Sequence, residues 1–239
     1  MLIIISMEGN IMKKAFTLAE VLITLGIIGI VAAMTLPTLI SRNEEKVAVN
    51  KLKKFYSTMS QAYLMSVHDN GYANEWAVGS GATEAHVKQL AQYITPYLKI
   101  IRDCGTRTDN CMGYSEKVKN LNGSYLLNHF DAKPFFYKLV LFDGSYMWFR
   151  VGSQGEDEVG SESGSYCAGQ EGGHSDVCVF MKYDVNGNKG LNTQGIDIFT
   201  FVITPKGIFP AITDDCRKTG NGTGCASYIL THDNMDYLR

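Results

Sequence analysis

The chain has 239 residues, 45% of them apolar and 19% charged, with 22 basic against 24 acidic side chains and a formal charge of -2. That near-neutral balance supplies no basic field of the kind nucleic-acid binding needs. Histidines at His68, His86, His129, His174 and His232 lack ligand spacing, and no Gly-x-Ser-x-Gly, His-Glu-x-x-His or phosphate-cradling glycine loop occurs. The sequence therefore gives no reason to expect an enzyme.

Residues 1–15 read as a leader to be removed. Met1 to Ile11 is a short apolar scrap, and Met12 directly before Lys13 and Lys14 is the expected true start of translation. Residues 16–40 form the next segment. From Val21 to Ile40 there is no charge, and wound as a helix this run rises roughly 30 Å, the hydrocarbon thickness of a bilayer. Lys13 and Lys14 hold the N-terminus in the cytoplasm and send the remainder outside. Glu20 stands one residue ahead of the run, where an unpaired carboxylate is costly and marks function by default. An ordinary signal peptide would end in a small-x-small cleavage site, and Ala32-Ala33-Met34 is a poor version of one.

Pro37 should kink or locally melt the helix without ending it. Residues 41–68 continue it as an amphipathic stretch, because Ala48, Leu52, Phe55, Met59 and Ala62 step by four, three, four and three. A helix from Phe16 to about Ser66 would be roughly 75 Å long. Residues 69–239 make up the exported globular part. It opens with a Gly/Asn/Ser-rich loop from His68 to Thr83, followed by a second helix from Thr83-Glu84 with Val87, Leu90, Ala91, Ile94 and Leu98 on one side and Pro96 weakening its last turn.

Beyond Tyr125 the pattern turns to strands. Phe135 to Phe142 and Ser145 to Val151 flank Asp143-Gly144, a tight-hairpin signal. Cys178 to Val185 and Ile196 to Ile203 form a further pair, and Thr204-Pro205-Lys206-Gly207 turns into Ile208 and Phe209. Antiparallel pairing is expected, with an α+β fold overall. Glu156, Asp157, Glu158 and Glu162 sit in a Gly/Ser stretch that reads as a solvated loop.

All six cysteines follow the apolar run, as disulfides on the exported side would require. Six allow fifteen connectivities. Pairing of neighbours, Cys104 with Cys111, Cys167 with Cys178 and Cys216 with Cys225, is the most economical, and zinc spacing is absent. In Asp184 to Phe199, Asp184, Asn186 and Asn188 place oxygens at alternate positions, with Asn192 and Asp197 as later calcium ligands. It is not an EF-hand, since Lys189 and Gly195 occupy the places of its glycine and bidentate acid. The same residues equally suit a plain Asn186-Gly187 turn. Tyr228, Ile229 and Leu230 make the tail apolar enough to dock on the core.

Taken together, Lys13-Lys14-Ala15 followed by Phe16-Thr17-Leu18-Ala19-Glu20 and the apolar run resembles the precursors of type IV pilins and type II secretion pseudopilins. The resemblance implies cleavage between Ala15 and Phe16 by a prepilin peptidase, N-methylation of Phe16, and pairing of Glu20 with the terminal amine of a neighbouring subunit. Ala15 departs from the glycine more usual before the cut. The resemblance further implies a pilin-like fold, a long helix packed on an antiparallel sheet, and partners among other pilin-like subunits and an inner-membrane assembly platform. The Asp184 loop is similar to the one through which major pseudopilins hold calcium. The competing expectation is a signal-anchored, calcium-stabilised surface domain that never polymerises.

Overall fold

The computed structural model describes residues 17–79, 82–113, 118–126, 130–152, 178–190, 192–213 and 215–239. Helix α1, Leu18–Asn70, passes Pro37 without a break. It stops at Gly71, whose φ of 80° only glycine adopts freely and whose N–H closes on Val67 O at 2.9 Å. The end thus falls four residues past the Ser66 expected from the stripe. The chain divides into two units, Met1–Glu44 and Glu45–Arg239.

In the first unit the apolar side chains of α1 are exposed, Leu18, Leu22, Ile28 and Met34 among them. The helix is long and apolar enough to cross a membrane. Two of its hydroxyls are turned onto the backbone: Thr24 donates to Glu20 O at 2.9 Å and Thr35 to Val31 O at 3.0 Å. These bonds satisfy both donors within the helix.

The second unit, the head, packs the remainder of α1 on a six-stranded antiparallel sheet. Its strands are β1 (Ile100–Gly105), β2 (Tyr137–Leu141), β3 (Tyr146–Val151), β4 (Val179–Asp184), β5 (Ile198–Thr204) and β6 (Gly207–Pro210), paired in chain order. The stripe Ala48, Leu52, Phe55, Met59 and Ala62 is buried as its spacing predicts. Leu52 and Phe55 join Leu139, Met147, Phe149, Met181 and Phe201 in one core, with Phe55 stacked on Tyr183 at 3.8 Å. Helix α2, Glu84–Ile94, is capped by Thr83, which accepts from His86 N, and adds Val87, Leu90, Ala91 and Ile94 to that core. Helix α3, Cys225–His232, adds Ala226 and Ile229.

The sheet's other face carries a second core of Trp148, Tyr146, Phe180, Phe130 and Phe136. Lys138, Arg150 and Lys182 are buried there too. Arg150 lies 4.9 Å from the Phe180 ring and Lys182 5.4 Å from Phe130, so aromatic faces meet the cations. Burial lowers the Arg150 guanidinium to about 10.

Two departures from the sequence reading have physical causes. α2 ends at Ile94, Pro96 falls in a 3-10 turn, and the apolar residues beyond it open strand β1. β5 begins at Ile198 because the Asp197 carboxylate gathers backbone N–H groups into a turn before it. The docking tail is a helix, although Gly224 offers no side-chain cap. The acidic stretch Glu156 to Glu162 lies outside the described residues.

Candidate functional site

Two constellations carry chemistry. At the start of α1, Glu20 Oε2 accepts from Thr17 N at 2.9 Å and from Thr17 Oγ1 at 2.8 Å, while Glu20 N donates to Thr17 Oγ1 at 3.2 Å. This is a reciprocal capping box: each side chain satisfies a backbone N–H the helix start leaves without a partner. The spacing Thr-x-x-Glu was visible in the sequence, which read Glu20 only as a charge in search of a partner. Within one chain the acid is already received by Thr17. Ala15 and Phe16 lie outside the described residues.

The second constellation joins β4 to β5. Asp184 Oδ1 accepts from Asn186 N at 3.0 Å and Gly187 N at 2.9 Å. Asp197 accepts from Asn192 N at 2.8 Å, Thr193 N at 2.5 Å and Asn186 Nδ2 at 3.3 Å. Asp184, Asn192 and Asp197 are buried. Burial first, and then the charge of Asp197, push the Asp184 carboxyl well above the ordinary carboxylate range, and burial raises Asp197 as well. Three oxygens in this pocket have no hydrogen-bond partner: Asp184 Oδ2, Asn186 Oδ1 and Asn192 Oδ1. Such orphaned acceptors are costly unless a proton or a cation meets them. A set of carboxylate and amide oxygens suits a hard cation such as calcium. Asn188, by contrast, is exposed. No group of three or more His, Cys, Asp or Glu that could hold a metal ion occurs among the described residues, and the oxygens beside the two acids here are amides.

The loop is braced on several sides. Lys51 of α1 donates to Val185 O at 2.6 Å, Gln194 donates to Thr223 Oγ1 at 2.7 Å, and Tyr237 donates to Gly195 O. Gly195, at φ 82°, leaves room where a Cβ would stand 3.0 Å from Cys225 Sγ. Cys216–Cys225 and Cys104–Cys111 are both bonded, with Cα separations of 4.7 and 5.7 Å. The pairing of Cys167 with Cys178 falls outside the described residues, because Cys167 does.

Residues 38–220 match the Family of unknown function (DUF6613), and residues 11–36 match the Prokaryotic N-terminal methylation motif. No curated protein and no solved structure matches. The motif takes in Phe16, the Thr17–Glu20 box and most of the apolar run, and the first match covers well over half the chain. The chain belongs to the Family of unknown function (DUF6613) and carries, at residues 11–36, the methylation motif of type IV pilin and pseudopilin precursors.

Proposed function

We propose that the chain is a structural subunit, cut between Ala15 and Phe16, methylated on Phe16, and assembled with other pilin-like subunits into a filament. The observation that carries this reading is the contrast along α1. The part holding Val21 to Ile40 exposes its apolar side chains, so another hydrophobic partner must cover them, first lipid and then sibling helices. Release from lipid into a filament core keeps that surface dry while bringing Glu20 to a neighbour's terminal amine, which competes with Thr17 for the carboxylate. Before assembly the head lies outside the inner membrane with the N-terminus in the cytoplasm. A prepilin peptidase and an inner-membrane platform are its processing and assembly partners. Short filaments serve protein export; long ones serve adhesion, motility or DNA uptake.

Mass spectrometry of the mature N-terminus tests the first step: methylated Phe16 is expected, and an intact leader would replace this reading with that of a signal-anchored domain. Electron microscopy of sheared filaments tests the second. Glu20→Ala is expected to abolish them, and fibres as abundant as those of the parent would overturn the pairing.

We further propose that Asp184, Asn186, Asn192 and Asp197 hold calcium, the three orphaned oxygens being the support. The ion would neutralise two facing carboxylates and fix the loop to its braces. For the full chain in detergent, calcium at a hundred times its Kd should stabilise the head by about 2.7 kcal/mol. Asp184→Asn should lose that gain, and a melting temperature unmoved by millimolar calcium would sink the assignment.

A further inference from the structure

Within the head, α1 runs past the sheet in a defined direction. Lys51 reaches Val185 O, Tyr56 reaches Ile208 O and Tyr63 reaches Pro205 O. The chain therefore enters the head at the end of the sheet where β4 stops and β5 starts. The hairpin tip between β2 and β3 is at this end too, because Tyr146 pairs with Asp184 and a Cβ on Gly187 would meet Gly144 O at 2.5 Å. So is the start of β1, since Phe142 N donates to Lys99 O at 3.0 Å. On the far side of the sheet Ala211 N reaches Thr200 O at 3.0 Å, which sets Ile212 level with the first residues of β5.

This end exposes apolar side chains at both lateral edges. Ile212 is 81% and Phe142 73% exposed, the two highest values for large apolar residues of the head among the described residues, and Ile101 is 59% exposed. Lys99, just before β1, and Lys189, in the connection after β4, are exposed at the same end. The acid at the hairpin tip, Asp143, already accepts from Ser145 N at 3.2 Å. Aromatic and aliphatic tips set among lysines are the composition that seats a protein at the boundary between headgroups and acyl chains. Only residues 41–44, about one turn of α1, separate Ile40 from the head in sequence, roughly 6 Å at the helical rise. A bilayer that takes in Val21 to Ile40 thus has only a short piece of chain between it and the head.

We propose that the end of the head at which the chain enters is a membrane-surface contact, with Phe142, Ile101 and Ile212 dipping into the upper acyl region and Lys99 and Lys189 meeting anionic headgroups. It rests on the reading of Val21 to Ile40 as a span. Leaving the membrane for a filament then requires the head as well as the helix to be freed from lipid, and anionic lipid adds to the hold on the unassembled subunit.

The test uses the full chain in phosphatidylcholine and phosphatidylglycerol vesicles carrying bromine on the acyl chains near the headgroup. Tryptophan is introduced singly as Phe142→Trp, Ile212→Trp, Ile28→Trp in the span, and Leu64→Trp toward the other end of the head. The native Trp76 and Trp148 are buried and set the background. Emission added at positions 142 and 212 should shift to the blue and lose most of its intensity to bromine, and the shift should shrink when phosphatidylglycerol is omitted. Leu64→Trp should lose none. Quenching at position 28 but at neither 142 nor 212 overturns the surface contact and leaves the span standing. Absence of quenching at all four positions overturns the span and the contact with it. A shift at 142 that grows with protein concentration and ignores bromine assigns the patch to a second copy and overturns the lipid contact.

Discussion

Helix α1 has two parts with opposite fates. From Val21 to Ile40 its apolar side chains point to every side and are exposed; from Ala48 onward one stripe is apolar and buried. Both parts satisfy their backbone internally, so the helix itself does not distinguish them. What differs is the width of the apolar surface. A stripe can be covered by one sheet, whereas an all-round apolar rod needs a solvent of its own kind or a ring of copies.

The sharpest way to break that contrast is to remove a large side chain from each part. Phe55→Ala should cost the head about 3 to 5 kcal/mol, because it empties the place stacked on Tyr183. Ile28→Ala should change head stability by less than about 0.5 kcal/mol. Denaturant unfolding of the two variants in the same detergent checks both, and equal losses would erase the distinction. A smaller effect is expected at the start of the first part. Thr17→Val removes the hydroxyl of the capping box and should weaken the first turn by about 1 kcal/mol. Faster backbone hydrogen exchange confined to residues 17–21 is the measurement.

An effect of similar size sharpens the second part. The Tyr63 hydroxyl donates to Pro205 O at 3.1 Å and accepts from Ala73 N at 3.4 Å. Burial, partly offset by the Ala73 N–H, raises its phenol above the ordinary 10.0. A raised folded value means the neutral form is favoured in the folded head. The stabilisation is complete below pH 10.0 and is lost as pH climbs through the raised value. Tyr63→Phe should remove that alkaline loss and cost about 1 kcal/mol at neutral pH. Unfolding curves compared across this range decide it.

The stripe from Ala48 to Ala62 could be read from spacing alone because four-and-three steps have one geometric meaning. The Asp143-Gly144 hairpin and the bonds Cys104–Cys111 and Cys216–Cys225 were equally legible, each being set by residues close in sequence. Strand β1 was hidden for two reasons. Leu98, Ile100 and Ile101 extend the apolar pattern past Pro96, and two irregularities in its pairing with β2 blur the alternation that marks a strand. Lys138, Arg150 and Lys182 look like a solvated face in the sequence. The rings that meet Arg150 and Lys182 come partly from other segments, Phe136 and Phe180 to Arg150 on β3 and Phe130 to Lys182 on β4. At the loop, alternating oxygens pointed to Asp184 and Asn186, but only the fold leaves Asn188 exposed and buries Asn192 beside Asp197.

The sheet is a simple meander, yet the core closes with the very end of the chain. Ile229 and Met235 are buried against α1's partners, Asp233 pairs with Lys53 at 2.5 Å, and Arg239 pairs with Glu45 at 2.8 Å. The strands can pair one after another, since each neighbours its predecessor. Residues 229–239 must nonetheless dock before the head's opening turn of α1 is held. Their removal would therefore leave a sheet already paired but the first helical turns of the head unlocked and open to proteases, so that a six-stranded meander made of neighbours is closed by a contact spanning almost the whole head in sequence.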